Sequence, residues 1–159
     1  MKSMRVVSGC IALALFCAGC QRTTALSPAE AQTAAKLDWL TNFESAKAKA
    51  RAENKMVLMD FTGSDWCPPC KMLKKEVFSQ PQFADYAAKN LVLLEIDSPR
   101  FKKQSDEEQA ANEKLAGEFG IEGFPTIVIL DPRGKVVGQL GYMPGGPTAF
   151  IAALEKLRP

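Results

Sequence analysis
Met56 to Phe61 is an apolar run broken only by Asp60. A run that does not alternate predicts a strand buried on both faces, and such a strand must be covered by helices on each side. The flanking sequence supplies that cover. Leu37, Leu40, Phe43, Ala46 and Ala50 recur at helical spacing and predict a helix over roughly 37–53, ending near Asn54. Cys70, Leu73 and Val77 mark one face of a helix that starts at about Cys67; Pro81 interrupts it, and Phe83 and Tyr86 continue it to about Lys89. Leu91–Ile96 is a second apolar strand. Ala111, Leu115 and Phe119 form a further helical stripe, ended by Gly120. Thr126–Leu130 and Val136–Leu140 flank the turn Asp131-Pro132-Arg133-Gly134 and predict a hairpin. Phe150, Ile151, Leu154 and Leu157 close the chain with a helix opened by Pro147.

This order sets the two early strands parallel through a right-handed helical crossover and adds the hairpin as an antiparallel edge. The expected fold is α/β, a four-stranded mixed sheet flanked by helices, in one domain over residues 37–159. A chain of 159 residues with 47% apolar and 24% charged side chains has the composition of a folded domain, not of a disordered chain.

The N-terminal segment reads differently. Lys2 and Arg5 head an uncharged apolar or small run, Val6–Gly19. This predicts a signal peptide over residues 1–19, since a membrane-spanning helix needs about 20 apolar residues. The segment ends Cys17-Ala18-Gly19-Cys20, which resembles a bacterial lipobox, with Cys17 where an aliphatic residue is usual. That resemblance implies cleavage before Cys20, lipidation of Cys20 and a membrane anchor; the alternative is ordinary cleavage near Ala25. Residues 20–36 are rich in Thr, Ala, Gln and Ser and read as a flexible tether. The expected location is the periplasmic side of the cell envelope, lipid-anchored or else secreted to the periplasm. Of the 20 basic residues, Lys2 and Arg5 leave with the signal, so 18 remain against 18 acidic ones. No basic surplus supports nucleic-acid binding.

The chain contains no histidine, which excludes His-based acid–base catalysis, Ser-His and Cys-His nucleophiles, and His metal ligands. The chemistry lies in Trp66-Cys67-Pro68-Pro69-Cys70, where the first apolar strand hands over to a helix. Cysteines at i and i+3 of a first helical turn face the same side, about 5–6 Å apart, within disulfide reach. Cys67 falls at the N-cap, where free N–H groups and the helix dipole favour a thiolate. Pro68 and Pro69 donate no hydrogen bond, so Cys70 and Lys71 are the nearest donors and an intermediate thiol pKa is expected. A zinc site lacks its remaining ligands in this domain, and a static disulfide would close only a tiny loop. A redox-active pair is the favoured reading, with no metal and no cofactor. The alternatives are a non-catalytic binding domain with a structural disulfide and a Cu(I)-binding or delivery protein.

Met59-Asp60-Phe61, the Trp-Cys-x-x-Cys motif and Gly123-Phe124-Pro125-Thr126, in this order, resemble the thioredoxin superfamily over about residues 40–157. The similarity is greatest to exported or membrane-tethered bacterial thioredoxin-like proteins. It implies a thioredoxin-like fold and a thiol–disulfide oxidoreductase with Cys67 attacking and Cys70, more buried, resolving. It also implies that Pro125 is a cis-proline facing the disulfide, that Phe124 and Trp66 frame the substrate groove, and that Asp60 is a buried acid relaying a proton. Six residues separate Asp60 from Cys67, one more than in thioredoxin, so a β-bulge is expected to absorb the extra residue, and Asp65 is the alternative acid. The lysine that accompanies the buried acid in thioredoxin is replaced by an apolar residue near Leu93. The implied partners are protein disulfides or dithiols and a separate membrane thiol carrier that supplies or accepts electrons, with reduction the favoured direction. Ser98–Asp106 is a loop in which Arg100, Phe101, Lys102 and Lys103 read first as solvated, and second as a contributor to partner choice.

Overall fold
The computed structural model describes residues 37–159; the predicted signal segment, Cys20 and the tether lie outside the described residues. The elements are β1 (Trp39–Leu40), α1 (Phe43–Glu53), β2 (Met56–Thr62), α2 (Pro68–Leu73), a π-helical turn (Lys74–Phe78), α3 (Pro81–Asn90), β3 (Leu91–Asp97), α4 (Asp106–Glu118), β4 (Thr126–Leu130), β5 (Val136–Leu140) and α5 (Gly146–Lys156). The sheet has five strands in the order β1-β3-β2-β4-β5. β1, β3 and β2 run parallel; β4 is antiparallel to β2, and β5 to β4.

The central strands, the crossover and the hairpin are as the sequence predicts. The strand count is not. Trp39 and Leu40 pair with Leu93 and Leu94 as a two-residue fifth strand, so the first helix starts at Phe43 rather than near 37. Two residues cannot display a period of two, and Leu37, Leu40 and Phe43 fit a helical stripe by coincidence. The helix starts where it can be capped: Asn42 accepts the Ser45 N–H at 2.8 Å. It stops at Asn54, which takes the left-handed conformation with φ 51°.

Alternation along β2, β3 and β4 sends side chains to two cores. Leu58, Leu93, Ile127 and Ile129 pack under Leu73, Val77, Phe83, Phe150 and Leu154, all buried. Val57, Met59, Phe61, Leu94 and Val128 pack on the other face against Ala46, Ala50 and Leu115. The unalternating run of β2 is thus explained: all seven of its residues are buried, because both faces are covered. Phe78 joins Trp39, Phe83 and Phe150 with ring centroids 5.0–5.7 Å apart, which anchors the π-helical turn to the first core. None of the helices among the described residues is long and apolar enough to cross a membrane.

Candidate active site
The chain leaves β2 at Thr62 and turns on Gly63, whose carbonyl accepts the N–H of Trp66 at 3.2 Å and of Cys67 at 2.9 Å. A Cβ on Gly63 would lie 2.5 Å from the Trp66 indole, so only glycine lets the ring close over the turn. The expected bulge is absent. β2 keeps an unbroken register with β3 from Met56↔Leu91 to Thr62↔Asp97, and the extra residue before Cys67 is taken up in this turn. A turn residue costs no ladder bond, whereas a bulge inside a strand paired on both edges would.

Cys67 is the N-cap of α2, with Pro68 and Pro69 in the first two helical positions. The Cys70 N–H donates to Cys67 Sγ at 3.3 Å. The Lys71 N–H donates to the Cys67 carbonyl at 3.2 Å, so one backbone donor rather than two reaches the sulfur. Cys67 and Cys70 are joined by a disulfide, with Cα atoms 5.3 Å apart. Their exposures are 2% and 5%, so burial does not single out Cys70 in this oxidised form.

Phe124-Pro125 is a cis peptide, as the resemblance implies. Thr126 pairs with Phe61 near the end of β2, which places Gly123–Pro125 at the sheet edge that carries the cysteines. The Phe124 ring meets Trp66 edge-on with centroids 5.9 Å apart. Trp66 is half-buried, donates from Nε1 to the Ser98 carbonyl at 2.8 Å, and carries the Arg100 guanidinium 3.7 Å from its ring centroid.

Asp60 and Asp65, the two candidate acids, have opposite environments. Asp60 shares its sheet face with Leu58 and so points toward the α2 side; it is 7% exposed, and its Oδ1 has no hydrogen-bond partner. Burial, with the neighbouring Glu95 carboxylate, pushes its carboxyl up to about 7; Lys74 opposes this and Asp97 adds to it. Asp65 accepts the backbone N–H groups of Arg100 at 3.0 Å, Phe101 at 2.7 Å and Lys102 at 2.8 Å. Desolvation raises its pKa, but these bonds together outweigh it and hold the carboxyl below the ordinary range. Asp65 is therefore a clamp on the following loop. Asp65→Ala is expected to raise amide exchange at Arg100, Phe101 and Lys102 about tenfold or more, the effect of losing one net hydrogen bond, while β2 stays protected. Hydrogen-exchange mass spectrometry checks this.

Three residues around the site were not singled out from sequence. Glu95 is the register partner of Asp60 in β3. Lys74, on the π-helical turn, is the cation that acts on Asp60. Ser64 donates from N and Oγ to Asp97 at 2.9 and 2.5 Å, tying the turn to the end of β3. The one signal available was that each early apolar strand holds an internal acid, Asp60 or Glu95. Among the described residues, His, Cys, Asp and Glu do not gather in threes as a metal site requires.

A family model described as the thioredoxin-like domain matches residues 43–158. The chain belongs to the thioredoxin-like family. As a thioredoxin-like protein it is a thiol–disulfide oxidoreductase. Disulfide bond reductase DsbH of Chlamydia pneumoniae is 29% identical over 151 residues, 93% of this chain and 90% of that protein. Thioredoxin H4 of Arabidopsis thaliana is 39% identical over 92 residues, 58% of this chain and 64% of its own length. The thiol:disulfide interchange protein DsbD of Pseudomonas fluorescens is 34% identical over 113 residues, 71% of this chain but only 16% of DsbD. A solved structure of a DsbH oxidoreductase superposes with a TM-score of 0.76 at 28% identity, covering 83% of this chain and 91% of that one.

Proposed function
We propose that this thioredoxin-like chain reduces disulfides of protein substrates on the periplasmic side of the cell envelope, held there by a lipid on Cys20. The observation that carries the chemistry is Cys67 Sγ at the N-cap of α2, receiving the Cys70 N–H at 3.3 Å. A sulfur in that position is stabilised as a thiolate by the donor and by the helix dipole. In the reduced protein the Cys67 thiolate attacks a substrate disulfide, forming a mixed disulfide and releasing one substrate sulfur as a thiolate. Cys70 then loses its proton and attacks Cys67 Sγ. The second substrate thiolate departs, and the Cys67–Cys70 disulfide forms, the state seen here. Asp60, raised to about 7, takes the Cys70 proton, either directly or through one water. Phe124, Pro125 and Trp66 frame the groove in which the substrate chain lies extended. Each turnover consumes two electrons, which a separate membrane thiol carrier returns.

The likeness to a disulfide bond reductase over 93% of the chain supports the reducing direction. The test is covalent capture. Cys70→Ala is expected to leave Cys67 joined to its substrate, released by dithiothreitol and identifiable by mass, and no adduct should form with Cys67→Ser. Equilibration of the wild-type pair with glutathione checks direction: a reductase should give a potential more negative than about −200 mV, and a value near about −120 mV would reverse the assignment.

A further inference from the structure
Ser98–Ser105 has no helix or strand, and four consecutive residues in it are Arg100, Phe101, Lys102 and Lys103. It is nevertheless held at both ends and along its middle. Asp65 takes three successive N–H groups, Arg100 to Lys102. The Trp66 indole holds the Ser98 carbonyl and the Arg100 guanidinium. Lys102 Nζ reaches Ser64 Oγ at 2.9 Å, and Gln104 Nε2 reaches the Asp97 carbonyl at 3.2 Å. The Ser98 N–H also donates to the Thr62 carbonyl at 2.8 Å, and apart from Thr62 and Asp97 these anchors lie in Ser64-Asp65-Trp66, the three residues before Cys67. The loop is therefore built onto the turn that precedes Cys67.

Its cations are not ion-paired. Arg100, Lys102, Lys103 and nearby Lys71, whose Nζ lies 2.7 Å from the Asp65 carbonyl, make no ion pair among the described residues. Asp65 and Asp97 keep their negative charge beneath the loop, but their oxygens are bonded to backbone N–H groups and to Ser64 rather than to these cations. Asp106, Glu107 and Glu108 lie beyond Ser105 in the first turn of α4, where negative charge is favoured by the helix dipole. Phe101 projects from the same rim, 81% exposed. A chain whose net charge is only +2 thus presents a local cluster of cations around one large apolar side chain beside its disulfide.

We propose that Ser98–Ser105 is a preformed docking rim for acidic segments of the disulfide-bearing protein substrate, with Arg100, Lys102 and Lys103 reading carboxylates. This deepens the proposed function and rests on Cys67 exchanging with protein disulfides. A rim already ordered loses little freedom on binding, and surface charge of one sign speeds encounter with the opposite sign.

The experiment compares two disulfide-linked peptides that differ only in Glu or Lys beside the cysteines, together with a small uncharged disulfide. With the wild-type protein in low salt, kcat/KM for the Glu peptide is expected to exceed that for the Lys peptide about tenfold, and the ratio should shrink in 0.5 M salt, where the screening length falls to a few ångströms. In R100Q/K102Q/K103Q the ratio should fall to about one. Because it is taken within each variant, any loss common to both peptides cancels. K114Q/K135Q/K156Q removes the same charge elsewhere and should keep the wild-type ratio. A wild-type ratio near one, an unchanged ratio in the loop variant, or an equal fall in the control variant would overturn the proposal. If the uncharged disulfide is reduced while the peptides are not distinguished, docking alone fails. If it is not reduced at all, the redox reading fails with it.

Discussion

Cys67→Ser is expected to lower disulfide reduction by ~10³-fold or more, to the uncatalysed background, with the fold unchanged by circular dichroism. Serine can occupy the N-cap and accept the Cys70 N–H, so the helix keeps its start. It cannot ionise near neutral pH or carry a sulfur–sulfur bond, so the exchange itself is removed. Cys70 does not substitute, because it sits at the third helical position rather than at the cap. The same geometry predicts the reactivity of Cys67. Two prolines and the Lys71 N–H bonded to the Cys67 carbonyl leave a single backbone donor at the sulfur. The thiol pKa of the reduced protein should therefore fall below the free value of about 8.5 but stay above about 4. Alkylation rate against pH measures it; an end point below about 4 would require donors beyond the one seen.

Asp60→Asn is expected to stabilise the protein at pH 8 by up to about 4 kcal/mol, with little effect near pH 4. The folded Asp60 carboxyl titrates at about 7 rather than at its ordinary 3.8. Between those values the unfolded chain has lost this proton while the native state still holds it. Stability therefore falls as pH rises from about 4 and levels off above about 7. The isosteric amide carries no charge to desolvate, so this slope should vanish. Urea denaturation at pH 4, 6 and 8 checks it, and an unchanged slope in the variant would show that Asp60 is ionised at little cost. If Asp60 also receives the Cys70 proton, the more stable variant should resolve its mixed disulfide more slowly, a loss of rate accompanying a gain in stability.

Glu95 and Lys74 show why the environment of Asp60 was not legible beforehand. The resemblance points to Leu93, the apolar residue that replaces the family's lysine, whereas the residue paired with Asp60 in β3 is Glu95, two positions on. A two-residue offset keeps the side chain on the same face and so leaves every apolar pattern intact. Hydrophobic periodicity cannot distinguish the two registers. The π-helical turn was equally hidden: Lys74–Phe78 has no sequence mark apart from lying between Leu73 and Pro81, and a regular helix serves the pattern of Leu73 and Val77 as well. β1 was missed because two residues carry no period.

The α/β class, the cysteine pair at a helix cap, the parallel crossover and the hairpin were determined by the sequence alone. Each rests on residues within a few positions of one another: an unbroken apolar run, prolines that can only begin a helix, a turn between two strands. Tertiary structure alone decided that Asp60 stands beside Glu95 under α2, and that Asp65 holds a loop rather than a proton. The contacts responsible join residues 35 positions apart, as between Asp65 and Arg100. Local patterning limits such pairings without choosing among them, because the choice is made by strand register and by where buried or unpaired polar groups find partners.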